Sequence, residues 1–197
     1  MIQLVGPGGA GKTTIGAALA ERLGARFCDL DAEFTSRHGN ISAYLEAHGY
    51  EAYAEQNVGL YLDLVGSQAR FEIVALSSGF MTYPGNVHPD YPALRQRVAS
   101  SPSTFVLLPS VDVEVCVSEI VRRQLRRPFA RSADREEQVI RERFLAHFEL
   151  SACKVETMQP VEAVVAELVA ALAGQQGAAL DCTRAHSGRW ATRTNRD

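Results

Sequence analysis

A glycine-rich segment near the start of the chain has the residue types and the spacing that bind phosphate. Residues 6–13 read Gly-Pro-Gly-Gly-Ala-Gly-Lys-Thr and fit the pattern G-x-x-x-x-G-K-[ST]. Glycines allow successive backbone N–H groups to point at phosphate oxygens, and a helix that begins at Lys12 adds the positive end of its dipole. The pattern predicts a loop that binds ATP, with Lys12 at the β and γ phosphates. The predicted ATP-binding residues are Gly9, Ala10, Gly11, Lys12, Thr13 and Thr14.

Two carboxylates further along the chain form a second reactive group. Asp29-Leu30-Asp31 closes a predicted strand, and alternation along that strand would point both aspartates to the same side. Thr13 would supply a hydroxyl to Mg²⁺. Of the two aspartates, one would hold a magnesium-bound water and the other would orient an attacking hydroxyl, as phosphoryl transfer requires. The alternative is that the two aspartates only cap the helix that follows.

Short apolar segments alternate with segments of helical periodicity along the chain. The run from Ile2 to Val5 ends at the glycines, and Ile15, Leu19 and Leu23 then recur at every fourth position. Strands that alternate with helices form parallel βαβ units. We therefore predict a three-layer α/β/α sandwich around a five-stranded parallel sheet. The predicted strands are 2–5, 25–29, 71–76, 104–108 and 154–157, and the predicted helices are 12–23, 41–46, 51–65, 92–99, 113–125, 134–150 and 161–172.

Length and composition limit the number of domains and the classes of partner. The chain has 197 residues, of which 46% are hydrophobic and 22% are charged, with a formal net charge of −3. This predicts one domain over residues 1–174 and a flexible tail over 175–197, where the periodicity is lost. No basic excess favours nucleic acid, and no segment approaches the roughly 18 apolar residues of a membrane span. We expect a cytoplasmic monomer that binds neither nucleic acid nor membranes.

The glycine loop and the residues after it also match a longer pattern. Residues 4–16, Phe27 and Asp29-x-Asp31 together resemble the N-terminal part of shikimate kinase. The resemblance spans roughly residues 1–172 and is strongest up to Asp31.

Later segments continue the resemblance in the right order. Residues 49–53, with Gly49, Glu51 and Tyr53, lie where that family has a G-E-x-x-F-R helix. Arg127-Pro128-Phe129 lies where the family has the R-P-L of its lid, and Glu142-Arg143 matches its E-R segment.

The resemblance implies a P-loop NTPase fold like that of the nucleoside monophosphate kinases, and phosphoryl transfer from ATP to a hydroxyl of a small polar acceptor. It implies Mg²⁺ as the cofactor, bound through Thr13 and Asp29, and a lid arginine, Arg127, that closes over the ATP phosphates. It also implies acceptor-binding helices over about 32–65 and a lid over about 122–134. The implied catalytic residues are Lys12, Asp31 and Arg127, and the implied acceptor-binding residues are Asp31, Gly79 and Arg143.

Three residues depart from the family pattern on the acceptor side. Ala54 replaces an arginine, Asn57 replaces a glutamate, and Phe80 puts a bulky ring at the family's triple-glycine turn, where Gly79 survives. Loss of a charge-assisted pair would cost about 1.5 to 3 kcal/mol of acceptor binding. We therefore predict a different or broader acceptor, with shikimate a poor one. The alternatives are a nucleoside or nucleotide kinase, and a nucleotide-binding regulatory protein that has lost turnover.

Overall fold

Five short parallel strands form the sheet in the computed structural model, which describes residues 1–66, 71–124 and 133–187. The strand order is β2-β3-β1-β4-β5, so β1 lies at the centre. Leu4 of β1 pairs with Ala75 on one side and with Phe105 on the other. The prediction of a five-stranded parallel sheet is confirmed. The strands are β1 (Ile2–Val5), β2 (Phe27–Asp29), β3 (Ile73–Ala75), β4 (Thr104–Leu108) and β5 (Cys153–Glu156).

Helices cover both faces of this sheet. Leu4, Phe105 and Val155 belong to an apolar core that the first and last helices close, whereas Val5 and Val106 belong to a core on the opposite face. Burial on both faces explains the continuous apolar run of β4, since parallel strands lose contact with water on each side. The helices are α1 (Lys12–Leu23), α2 (Leu30–His38), α3 (Ile41–Gly66), α4 (Tyr91–Ser100), α5 (Val113–Gln124), α6 (Ala133–Phe148) and α7 (Val161–Ser187).

Several boundaries differ from those the sequence predicts. Asp31 does not continue strand β2, because the Asp29 side chain caps α2 and starts the helix at Leu30. The two helices predicted over 41–46 and 51–65 are one helix, α3, interrupted at Gly49 by non-helical angles (φ 83°, ψ 172°). Helix α7 continues to Ser187, beyond the apolar periodicity that ends near Leu172. Within the described ranges, no helix is both long enough and apolar enough to cross a bilayer.

Candidate active site

The glycine loop runs from the end of β1 to the start of α1 and is anchored to the sheet. Gly6 has φ of 145°, and a Cβ built there would lie 2.3 Å from the carbonyl oxygen of Leu107, so only glycine fits between β1 and β4. The Lys12 ammonium donates hydrogen bonds to the carbonyls of Gly6 (2.7 Å) and Pro7 (3.0 Å). The Lys12 side chain therefore folds back across the loop and holds its first two carbonyls.

Thr13 and Asp29 meet beside this loop. The Thr13 hydroxyl donates to Asp29 Oδ2 at 2.5 Å. Asp29 Oδ1 accepts from the backbone N–H groups of Asp31 (2.9 Å) and Ala32 (3.2 Å), which is the N-cap of α2. Asp29 thus caps α2 through Oδ1 and contacts Thr13 through Oδ2, so one side chain makes both kinds of contact.

Asp31 lies in the first turn of α2, so the alternation argument for its direction was wrong. Its side chain nevertheless faces the same cleft as the loop. Asp31 Oδ1 accepts hydrogen bonds from the hydroxyl of Ser77, after β3, at 2.5 Å and from that of Tyr53, on α3, at 3.2 Å.

The cleft between these groups has a volume of about 190 Å³. The loop, Asp29, Asp31, Leu76 and Ser78 line it, at the carboxyl ends of the strands, where parallel sheets of this class bind ligands. A larger groove of about 830 Å³ lies between α1 and α7, and its lining is mostly aliphatic. Because the convergent polar groups lie in the smaller cleft, we take that cleft as the candidate active site.

Gly79 and Arg143 both contact Tyr50 at the far end of the site. A Cβ built on Gly79 would lie 2.6 Å from the Tyr50 hydroxyl and 2.9 Å from the Tyr83 ring, so a side chain does not fit. Arg143 of α6 donates from Nη2 to the Tyr50 hydroxyl at 3.4 Å. The structure thus brings two predicted acceptor-binding residues together through Tyr50.

Phe80 does not enter the cleft, contrary to the prediction from its position at the family's glycine turn. It begins a short 3₁₀ turn, is fully buried, and packs against the rings of Tyr61 (5.2 Å between centroids), Tyr83 (5.8 Å) and Tyr91 (6.2 Å). The turn directs the ring into the core, and the residues before it, Ser77 and Ser78, face Asp31 and the cleft instead.

Ala54 and Asn57, the other two departures, are both fully buried on α3. Asn57 Oδ1 accepts a hydrogen bond from the Tyr83 hydroxyl at 3.1 Å. Its amide nitrogen has no hydrogen-bond partner among the described residues. Neither position therefore carries a charge, where the family pattern has an arginine and a glutamate.

Arg123 contacts the nucleotide loop, and sequence reasoning missed it. Its guanidinium donates to the carbonyls of Gly9 (3.0 Å) and Thr157 (3.1 Å), and Thr157 in turn donates to the carbonyl of Ala10 (2.8 Å). Glu119 orients the Arg123 guanidinium by accepting a hydrogen bond from its Nε at 2.6 Å. Hydrogen bonds first from Arg122 and then from Arg123 lower the pKa of the Glu119 carboxyl to about 2. The run of arginines after residue 121 hid this one, since spacing alone does not separate them.

Arg127, with the rest of 125–132, lies outside the described residues, so its predicted place in the lid stays a prediction.

The chain is similar in sequence to known proteins of one family. A family model described as shikimate kinase matches residues 8–173. The shikimate kinase of Xanthomonas axonopodis pv. citri (strain 306) is 32% identical over 178 residues, which cover 87% of this chain and 91% of that protein. The shikimate kinase of Halorhodospira halophila (strain DSM 244 / SL1) is 30% identical over 179 residues, or 88% of this chain and 94% of that protein.

Solved structures resemble the fold. A shikimate kinase from Acinetobacter baumannii in complex with shikimate aligns with a TM-score of 0.67 and 24% identity, over 88% of this chain and 93% of that one. A deoxyadenosine kinase from M. mycoides aligns with a TM-score of 0.51 and 15% identity, over 88% of this chain and 98% of that one. Both comparisons support the predicted P-loop, nucleoside monophosphate kinase-like architecture. The family model and the sequence relatives extend along most of the chain, so it belongs to the shikimate kinase family and is a kinase that transfers a phosphoryl group from ATP to a small hydroxylated acceptor.

Proposed function

We propose that ATP binds as its magnesium complex on the loop of residues 9–14, and that the acceptor lies between Asp31, Gly79 and Arg143. The oxygens of Thr13 and Asp29, 2.5 Å apart beside the loop, are the hard ligands that Mg²⁺ prefers, so these residues fit the ion. When bound, Mg²⁺ supplies positive charge at the β and γ phosphates.

The residues of the cleft divide the work of phosphoryl transfer. Lys12 leaves the carbonyls of Gly6 and Pro7 and pairs with the β and γ phosphate oxygens. Asp31 accepts the proton of the acceptor hydroxyl as the acceptor oxygen bonds to the γ phosphorus. The bond from that phosphorus to the β–γ bridging oxygen breaks, and ADP leaves. Arg127 closes over the phosphates and excludes water.

The observation that carries this proposal is the position of Asp31 in one small cleft with Lys12 and Thr13. The test is ADP release by the wild type and by Asp31→Asn, with magnesium ATP and a panel of small polyols and hydroxy acids. We expect turnover with at least one acceptor, and its loss in Asp31→Asn by about a hundredfold or more, as for loss of a general base. Binding of ATP without turnover on any acceptor would favour the regulatory alternative instead.

The acceptor itself is the second part of the proposal. We propose that shikimate is a poor acceptor, because neither Ala54 nor Asn57 supplies the charge that the family pattern has at its position. Arg37 does not supply the positive charge that Ala54 lacks, because it pairs with Glu33 (2.9 Å) and Asp63 (3.1 Å). Mass spectrometry of phosphorylated products across the panel tests this. Efficient phosphorylation of shikimate, with a Michaelis constant well below about 1 mM, would contradict it.

The remaining expectations are a single domain over 1–174 and a cytoplasmic monomer. Of the predicted tail over 175–197, the first part lies in α7, which ends at Ser187, and residues 188–197 lie outside the described residues. Light scattering after size-exclusion chromatography tests the oligomeric state. The likeness to a deoxyadenosine kinase is one of fold, so we do not propose a nucleoside acceptor.

A further inference from the structure

The hydrogen bonds on the Asp31 carboxylate fall on one of its two oxygens. The hydroxyls of Ser77 (2.5 Å) and Tyr53 (3.2 Å) both donate to Oδ1. In the described part of the chain, no hydrogen bond to Oδ2 of Asp31 is found. Each carboxylate oxygen has about two lone-pair sites, so the pair of hydroxyls uses the accepting capacity of Oδ1.

The two donors come from different elements and are themselves held in place. Tyr53 is 7% exposed, and its ring packs against Phe34 of α2 at 4.8 Å between centroids. Ser77 is 3% exposed, and its carbonyl accepts a hydrogen bond from the N–H of Phe80 at the start of the 3₁₀ turn. The ring of Tyr53 and the backbone of Ser77 are therefore held, and burial limits how far either hydroxyl moves.

Tyr53 keeps its proton under ordinary conditions. Burial raises the pKa of its phenol well above the usual value, and the negative charge of Asp31 raises it further. The phenol therefore acts as a neutral donor to Asp31.

We propose that Tyr53 and Ser77 are positioning residues that fix the rotation of the Asp31 carboxylate, so that Oδ2 alone receives the proton of the acceptor hydroxyl. Rotation about the last bond of an aspartate is soft, with broad minima, so the backbone of α2 does not fix it. Two donors on Oδ1 remove that freedom before the acceptor arrives, which is the kind of preorganisation that raises turnover. This inference rests on the proposed role of Asp31.

The first test is kinetic and uses Tyr53→Phe and Ser77→Ala, with magnesium ATP and with shikimate as the probe acceptor. We expect kcat to fall about tenfold in each variant, as for loss of a hydrogen bond to a charged group, with KM for ATP unchanged. Tyr61→Phe is the matched control: it removes a buried tyrosine hydroxyl from the same helix, but that hydroxyl donates to Gln3 at 2.6 Å, away from the cleft. It should keep the wild-type kcat.

Asp31→Asn separates this inference from the proposed function. If Asp31→Asn keeps its turnover, the role of Asp31 fails, and the inference fails with it. If Asp31→Asn loses turnover while Tyr53→Phe and Ser77→Ala keep theirs, the inference alone is overturned.

The second test does not depend on any acceptor, and it decides the matter if shikimate is not phosphorylated. Crystal structures of the wild type and of the double variant Tyr53→Phe/Ser77→Ala report the orientation of the Asp31 carboxylate directly. We expect one orientation in the wild type, and a rotated or doubly populated carboxylate in the variant. The same single orientation in both proteins would overturn the proposal.

Discussion

The two halves of the site are built in different ways. On the nucleotide side, the chain's own side chains hold the loop through its carbonyls: Lys12 bonds those of Gly6 and Pro7, and Arg123 bonds that of Gly9. On the acceptor side, α3 and α6 each carry a fully buried side chain with a nitrogen that lacks a hydrogen-bond partner in the described ranges. These nitrogens are Asn57 Nδ2 and His147 Nε2.

The difference shows which half of such a site can change. Phosphate is recognised mainly by backbone N–H groups, whose geometry a short glycine pattern specifies. In our proposal, the acceptor is recognised by side chains that come from distant elements, and Tyr50 of α3 and Arg143 of α6 meet in this way. Substitutions at single positions therefore alter the acceptor while the loop keeps its chemistry.

The largest expected effect tests the nucleotide side. We expect Lys12→Ala to lower kcat about a thousandfold, the upper range for removal of a preorganised charge-stabilising group, with the fold intact. Steady-state ADP release and thermal melting measure the two quantities. Lys154→Ala is the control, because that ammonium bonds the carbonyl of Leu150 away from the cleft (2.7 Å). An unchanged rate in Lys12→Ala would remove the catalytic assignment.

The second prediction concerns Arg127 of the predicted lid, whose contact with the ATP phosphates should be strongest in the transition state. We expect Arg127→Ala to lower kcat about a hundredfold while the ADP dissociation constant changes less than about threefold. Isothermal titration and turnover with the best acceptor of the panel provide the pair of values. Equal losses in both, or none in either, would show that Arg127 is not the lid arginine; Arg131→Ala serves as the neighbouring control.

The third prediction tests His147, the buried histidine of α6. Burial, and then the positive charges of Lys12 and Arg143, lower the pKa of His147 to about 4, although a hydrogen bond to the carbonyl of Arg143 opposes them. The unfolded chain binds the proton near the ordinary histidine pKa of about 6.5, whereas the folded chain binds it only near pH 4. The free energy of unfolding is therefore at its full value above about pH 6.5 and falls as the pH drops towards about 4.

We expect the wild type to lose about 2 kcal/mol of unfolding free energy from this group between about pH 7.5 and about pH 5. Urea denaturation at the two pH values measures this loss of unfolding free energy. The loss in His147→Leu should be smaller than that in the wild type by about 2 kcal/mol. The exposed His48→Leu is the control and should follow the wild type. An identical pH dependence in His147→Leu would mean that His147 does not carry the effect.

The smallest expected effect is on ADP binding, and it distinguishes two neighbouring arginines, Arg122 and Arg123. Arg123 bonds the carbonyls of Gly9 and Thr157, whereas the described hydrogen bonds of Arg122 go to Glu119. Arg123→Ala should weaken ADP binding about tenfold, and Arg122→Ala less than about twofold. Calorimetric dissociation constants decide this, and equal weakening in both variants would show that the loop does not depend on Arg123.

The loop and the sheet could be predicted from the sequence because both follow local patterns. The glycines before Lys12 and the apolar run of β4 specify their own conformations. Phe80 could not be placed, because whether its ring enters the cleft or the core depends on a 3₁₀ turn that no local pattern marks.

Tyr53 and Ser77 could not be linked to Asp31 either, since their contacts join residues far apart in the chain. Arg123 was hidden among similar neighbours, and only its distance to Gly9 distinguishes it. Long-range side-chain contacts thus limited the prediction of the acceptor side most.

The anchoring of the loop has a thermodynamic consequence. Because Gly6 is locked against Leu107 and Thr157 bonds the carbonyl of Ala10, contacts within the chain itself order the backbone of the loop when the protein folds. Ordering one residue costs about 1 to 2 kcal/mol in entropy, so a loop that is already ordered spares the nucleotide that loss on binding. Nucleotide association should accordingly show little entropic penalty from the loop itself, and the conformational part of the binding entropy should come from elsewhere in the site.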